Sequence, residues 1–326
     1  MPLPPATLPP EYLPLKRKLM SEHKDEFASF RKEDVRLRLV EIVTFFFVWL
    51  GGAALTLFAV SLSTLWLKLP LMALGIFLCG LAFFVFFLEV HEGMHSVLFK
   101  NKLLNDLVSF IFCLPLFMSL TSAVILHLRH HRYLGEQGDP DEYRFYAKTK
   151  LGLMLLYYGR LFIAPTIYIF LIPVLGYRHG TSRQRRRILL EFAVMLVFYV
   201  FIFSQVPFLD LLFIWLIPTT VTGFLIGLWG LAQHALTDAK DPLLASRSVH
   251  ASPLVSFCFI NQNYHLEHHL FPEVPSYHLK KVYEVTWQQL PYALSSDSYI
   301  GFMRDFIRLS VKLEDKPIGY TEIIGW

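Results

Sequence analysis

Four stretches of the chain stay apolar over the roughly 20 residues that a helix needs to cross the hydrocarbon core of a bilayer. They run from about Leu39 to Leu62, Leu69 to Val90, Ile188 to Val206 and Leu211 to Leu231. The second is expected to continue as helix to Phe99. Two further apolar stretches are less regular: about Leu103 to Leu126 with Pro115, and about Leu151 to Leu175 with Pro165 and Pro173. Both are expected to dip into the membrane or lie on it without crossing. Residues 1–37 are Pro-rich and then charged, with no apolar core behind a basic start, so insertion is expected to use the first membrane helix. The tail from Pro272 to Trp326 mixes polar and apolar positions and reads as helices packing on the same domain.

Lys and Arg placement orients these helices. Lys16, Arg17, Lys18, Arg31, Arg36 and Arg38 precede the first span, and Arg183, Arg185, Arg186 and Arg187 precede the third. The bias of basic residues toward the inner face puts both groups in the cytoplasm. The links of about Ser63 to Lys68 and Gln205 to Asp210 then lie on the other side. The predicted fold is an all-α integral membrane protein. It has four transmembrane helices in two hairpins, interfacial helices and a cytoplasmic cap. Three parts are expected: an N-terminal segment over 1–37, a membrane domain over 38–285 and a tail over 286–326 packing on that domain.

Composition agrees. Hydrophobic residues make up 54% of the 326 positions and charged residues 17%, against about 25% charged in an average soluble domain. The net charge of +4 is too small for a nucleic-acid binder. Cys79, Cys113 and Cys258 lie in apolar stretches without a CxxC pair, which argues against a disulfide framework or a zinc ribbon.

Histidine placement supplies the chemistry. His91 and His95 stand in HEGMH at the end of the second span. His127, His130 and His131 stand in HLRHH, and His265, His268 and His269 in NYHLEHH. His234 ends the fourth span in GLAQHA. Positions i, i+3 and i+4 share one face of a helix, so each cluster can aim two or three imidazoles at one place. In the proposed topology all four places lie at the cytoplasmic membrane face. Imidazole suits zinc, copper, iron and nickel. Eight or nine rings exceed the needs of one ion and match two. His23, His179, His250 and His278 have no partner at helical spacing.

HEGMH, HLRHH and HLEHH resemble the H-x3-H, H-x2-H-H, H-x2-H-H boxes of the membrane fatty-acid desaturases and related hydroxylases. The stretch NYHLEHHLFPEVPSYHL is very similar to the last box, and GDPDEY resembles the acidic segment that trails the second. The resemblance covers about residues 35 to 285. It implies a di-iron centre, with dioxygen as co-substrate, that removes hydrogen from an unactivated C–H bond. It also implies that His234 is an additional ligand. Glu92, Glu267, Asp139 and Asp141 are candidates to hydrogen-bond ligand imidazoles from behind, with solvated or helix-capping carboxylates as the alternative. Asn261 offers either a polar group beside the third box or a helix cap. Arg247 is a candidate partner for those acids or for a headgroup, and Trp229 a candidate wall of a substrate tunnel. The chain has neither an HPGG haem motif nor a four-cysteine iron–sulfur set. The resemblance therefore implies a separate electron donor: a ferredoxin, a rubredoxin or a b-type cytochrome.

The expected activity is desaturation of a fatty acyl chain in a lipid or carrier ester. A carotenoid or other lipid hydroxylase or ketolase is the alternative on the same scaffold. HEGMH also fits H-E-x-x-H, the signature of a zinc protease with Glu92 as base, but that reading leaves six clustered histidines without a task. A metal transporter would need polar groups through the membrane interior, and these helices have few.

Overall fold

The computed structural model describes residues 12–237, 245–290 and 293–319. The Pro-rich start of the N-terminal segment and the end of the tail lie outside the described residues. The helices are α1 (Tyr12–Glu22), α2 (Lys24–Phe30), α3 (Val35–Ser61), α4 (Leu65–Met94), α5 (Lys102–Cys113), α6 (Leu120–Tyr133), α7 (Lys150–His179) and α8 (Ser182–Gln205). Then come α9 (Phe208–Leu211), α10 (Ile217–His234), α11 (Pro253–Cys258), α12 (His265–Leu270), α13 (Leu279–Thr286) and α14 (Tyr299–Val311). A π-helical turn over Leu212–Leu216 joins α9 to α10. Among the described residues, four spans, Val35–Ser61, Leu65–Met94, Ser182–Gln205 and Phe208–His234, are long and apolar enough to cross a membrane. The chain is an all-α integral membrane protein, as its apolar pattern predicts.

The chain divides into two compact units. The first comprises Asp34–Leu126 and Leu161–Gly227 and holds most of the long helices. Asp34 starts α3 by accepting from the backbone of Arg36 at 3.0 Å and Leu37 at 3.1 Å. Helices α3 and α4 approach so closely that a Cβ on Gly75 would lie 2.3 Å from Thr56 Oγ1 and 2.7 Å from the Gly52 carbonyl. Small residues at the seam permit that approach, which membrane helices use in place of a hydrophobic drive. Helix α4 ends at Met94, five residues short of Phe99, with His95 as its cap and Ser96 left-handed at φ 60°. The stretch around Pro115 forms α5 and α6 at 100° to each other. Phe117 turns the corner at φ 55°. Buried Glu191 of α8 then takes the Ser119 hydroxyl at 2.7 Å, the Thr121 N–H at 3.0 Å and the Thr121 hydroxyl at 2.5 Å. A carboxylate there satisfies donors that the first turn of α6 leaves open. The stretch holding Pro165 and Pro173 is one continuous helix, α7, and not an irregular segment.

The second unit comprises residues up to Glu33, His127–Arg160 and Leu228–Trp326. Two short parallel strands, β1 (Arg247–Val249) and β2 (Leu294–Ser296), pair Arg247 with Leu294, Ser248 with Ser295 and Val249 with Ser296. Leu19, Phe27 and Phe30 from α1 and α2 join Tyr264, Leu266, Leu270 and Phe271 in one buried core. The Phe27 and Phe271 rings lie 4.4 Å apart. Arg31 and Lys16 both reach Glu273, at 2.7 and 3.6 Å. The N-terminal segment, whose sequence shows mainly its charge, is thus part of the wall behind the third histidine cluster.

Phe27→Ala is expected to destabilise this unit by about 3–5 kcal/mol, read as a fall in unfolding temperature in detergent. Phe47→Ala, at a position 63% exposed, is expected to move stability by no more than about 0.5 kcal/mol.

Candidate metal centre

Seven of the candidate ligands lie in the second unit, carried by three elements. HLRHH forms the end of α6, His234 is the last residue of α10, and the third cluster forms the six-residue α12. Helical spacing brings the rings of His127 and His131 to 4.6 Å, and those of His265 and His269 to 4.6 Å. The nitrogens of His127, His131 and His268 lie within 4.8 Å of one another. Those of His130, His234 and His269 form a second such group. His265 faces the second group, its Nε2 being 2.9 Å from His234 Nε2 and 3.1 Å from His269 Nε2. His268 Nε2 is 3.2 Å from His131 Nε2.

These distances can be tested against a bound ion. A neutral imidazole has one N–H and one lone pair. His130 Nδ1 lies 2.8 Å from Asp139 Oδ1, and His234 Nδ1 lies 3.3 Å from the Ala245 carbonyl. Both acceptors require the proton on Nδ1, which leaves the Nε2 lone pair facing inward. Two nitrogens held at about 2.1 Å on one ion, at about 90°, stand about 3.0 Å apart. The observed 2.9–3.2 Å separations fit that arrangement. An all-imidazole set suits iron, zinc or copper, and not the oxygen-seeking magnesium or calcium. Burial pushes the proton affinity of His269 well below the usual histidine range, and neighbouring His131, His265, His130 and His234 lower it further. That favours the neutral ring, the form that can ligate a metal.

The supports behind the rings are polar and local. Asp139 is clamped by the N–H groups of Gly135 and Asp141, both at 2.9 Å, so the carboxylate behind His130 is fixed in place. Asp141 contributes this N–H. Helix α12 has no capping side chain on Tyr264; Ser248 of β1 supplies one, its hydroxyl accepting from Leu266 N at 3.2 Å and donating to Glu267. Glu267 therefore points to strand β1, and burial raises its carboxyl to about 7 while the Ser248 hydroxyl draws it back. Asn263 binds Val249 through its side chain at 2.9 Å and its carbonyl at 2.8 Å. Asn261 sits at the corner before α12 with φ 58°, a left-handed position that Asn tolerates. Trp229 packs its edge on His265 at 5.1 Å and donates to the Gln262 carbonyl at 3.3 Å. Arg247, a candidate partner for acids or headgroups, is instead fully buried against backbone carbonyls.

In the first unit, the rings of His91 and His95 lie 5.5 Å apart at the end of α4. The Gly93 between them has no room for a side chain, since a Cβ would lie 1.8 Å from Ser109 Oγ. Asn105 holds the Gly93 carbonyl at 3.0 Å. Glu92 is paired with Arg38 at 2.8 Å. Arg38, counted in the sequence among the basic anchors, is fully buried and also reaches Glu41 at 2.9 Å and Glu89 at 2.6 Å. A signal for this cluster does stand in the sequence: Arg38 with Glu41, and Glu89 with Glu92, are charged pairs at i, i+3 on otherwise apolar helices.

Residues 67–300 match the family model described as fatty acid desaturase. The chain is 22% identical over 260 residues to the sn-1 oleoyl-lipid 12-desaturase of Anabaena variabilis, covering 72% of this chain and 71% of that one. It is 26% identical over 276 residues to the sphingolipid delta(4)-desaturase DES1 of Drosophila melanogaster, covering 80% and 81%. It is 26% identical over 245 residues to the beta-carotene ketolase of a Paracoccus species, covering 70% and 88%. The matched span is well over half of the chain, which belongs to the fatty acid desaturase family and is an oxidoreductase. That membership, with Glu92 tied to Arg38, sets aside the protease reading of HEGMH.

Asp139→Asn places an amide N–H against the backbone donors that now clamp the carboxylate, and removes the charge behind His130. Metal affinity is expected to fall about 10- to 100-fold, measured as iron per chain by mass spectrometry at fixed free iron. Wild-type affinity in this variant would show that Asp139 does not orient the ligand.

Proposed function

We propose that this enzyme catalyses O2-dependent desaturation of a fatty acyl chain, carried in a lipid or carrier ester, at a two-iron centre. The observation that carries the reading is the packing of seven imidazoles, five of them Nε2 to Nε2 at 2.9–3.2 Å, within a membrane protein of the desaturase family. His127, His131 and His268 would hold one ion, and His130, His234 and His269 the other, with His265 beside the second. His91 and His95 are assigned as ligands of the same pair on the pattern of their box. Bound iron supplies dioxygen activation and hydrogen removal from a methylene.

The chain's own task is to hold ligand nitrogens inward and to exclude water. The reacting carbon must also come within about 3–3.5 Å of its partner atom. Electrons come from a separate carrier protein, a ferredoxin, a rubredoxin or a b-type cytochrome, because the chain has neither a haem motif nor an iron–sulfur set. The basic residues ahead of α3 and in the first turns of α3 and α8 support a cytoplasmic position for the boxes, where such a carrier can dock. The ketolase relative, 88% of which is covered, keeps carotenoid oxygenation as the second reading.

Labelled fatty acids and β-carotene fed to cells expressing the chain separate the two. New alkenes in the acyl pool are the expected result, and oxygenated carotenoid without them would establish the second reading. Replacing His95, His130 or His268 by Ala is expected to lower product formation below detection while membrane insertion persists. Near-normal turnover in all three variants would end the two-iron proposal.

A further inference from the structure

A buried guanidinium outside the ligand set lies against the backbone on either side of His234. The side chain of Arg247 is fully buried and spends its hydrogen bonds on backbone. Its Nη1 donates to the carbonyls of Ala232 at 2.7 Å and Ala235 at 3.1 Å, and its Nη2 to Leu236 at 2.8 Å. Nε donates to Ile318 at 2.9 Å. The first three acceptors bracket His234. They lie in the last turn of α10 and just past its end, where the last carbonyls have no donor within the helix and where a positive group is favoured by the helix dipole. Leu236 leaves the helix in the left-handed region at φ 49°, so the chain reverses immediately after the ligand. The face of Phe302 covers the guanidinium at 5.1 Å.

The same short segment also sets the ring. Ala245, two residues before Arg247, accepts from His234 Nδ1 at 3.3 Å, which leaves Nε2 facing His265 at 2.9 Å. One end of the segment thus fixes the tautomer and direction of His234, and the other fixes its backbone. Strand pairing of Arg247 with Leu294 ties the segment down.

We propose that Arg247 is the positioning residue that seats His234 as a metal ligand. Only a planar fork of several N–H groups can span these carbonyls together. Lysine keeps the charge but presents its donors from a single atom, so Arg247→Lys separates geometry from charge. The proposal rests on the two-iron reading, because it predicts loss at one ion and not at both.

The test is iron bound per chain, by mass spectrometry on detergent-purified protein across a range of free iron. Wild type, Arg247→Lys, His234→Ala and the double variant are compared. Arg247→Lys is expected to weaken one of two iron sites about 10-fold or more and leave the other unchanged. His234→Ala should weaken the same site, and the double variant should be no worse than His234→Ala alone, since residues acting through one another are not additive. Should Arg247→Lys fail to fold, Phe302→Leu loosens the guanidinium while keeping its hydrogen bonds, and should weaken that one site. Two sites of wild-type affinity in the Arg247 or Phe302 variant, equal weakening of both sites, or additive losses in the double variant would overturn the role of Arg247. A wild-type chain that binds fewer than two irons would overturn the two-iron reading itself and this inference with it.

Discussion

Imidazole nitrogens have been brought to within 2.9–3.2 Å of one another in the second unit, and the surrounding architecture answers that constraint. At 2.9–3.2 Å between Nε2 atoms, the rings repel unless a cation or a proton lies between them. Other contacts have to hold the rings there. They do so from behind. Asp139 takes the outer nitrogen of His130, and the Ala245 carbonyl takes that of His234. The Ser248 hydroxyl fixes the first turn of α12. A helix of six residues is far too short to persist on its own, because the first turn is costly to form. Its geometry therefore has to come from β1 at one end and from the aromatic packing of Phe27 against Phe271 behind it.

Legibility in the sequence follows the range of each interaction. The boxes can be read because ligand spacing along a helix is local: His127 and His131 meet through i, i+4 geometry alone. The four spans can be read because crossing a bilayer demands an uninterrupted apolar run. Asp139 stands near His130 in the chain, and the acidic segment is visible as such. Tertiary partners cannot be read this way. Nothing local says that Glu267 turns to Ser248, that Arg247 reaches carbonyls on either side of His234, or that α1 and α2 close the core behind α12. The expected end of α4 at Phe99 lies past the observed one at Met94 because apolar residues continue beyond it. What stops the helix is the tight turn after His95, where Ser96 is left-handed.

Charge buried in the long helices follows a related logic. Arg38, Glu41, Glu89 and Glu92 lie together in the first unit, and Glu191 lies at the start of α6. Desolvating such groups costs several kcal/mol per ion, and their mutual attraction often no more than offsets it. An apolar seam would serve stability as well. What these contacts add is direction: a carboxylate accepting from particular donors allows one register of two helices and not its neighbours. Arg38 fixes α3 against the turn of α4 that carries His91, and Glu191 fixes the corner from which α6 runs toward HLRHH.

Substrate choice belongs to a different set of residues. The ligand frame is polar and engages mainly itself, whereas an acyl chain or a carotene presents little but apolar length. One methylene more or less in an apolar pocket is worth only about 1–3 kcal/mol, and which hydrogen is removed depends on the carbon that lies within reach. Apolar walls can therefore change while the polar frame stays intact. Relatives of similar identity to this chain are accordingly named for oleoyl-lipid, sphingolipid and β-carotene chemistry. Overall similarity therefore reports the frame, while the walls select the carbon that reacts.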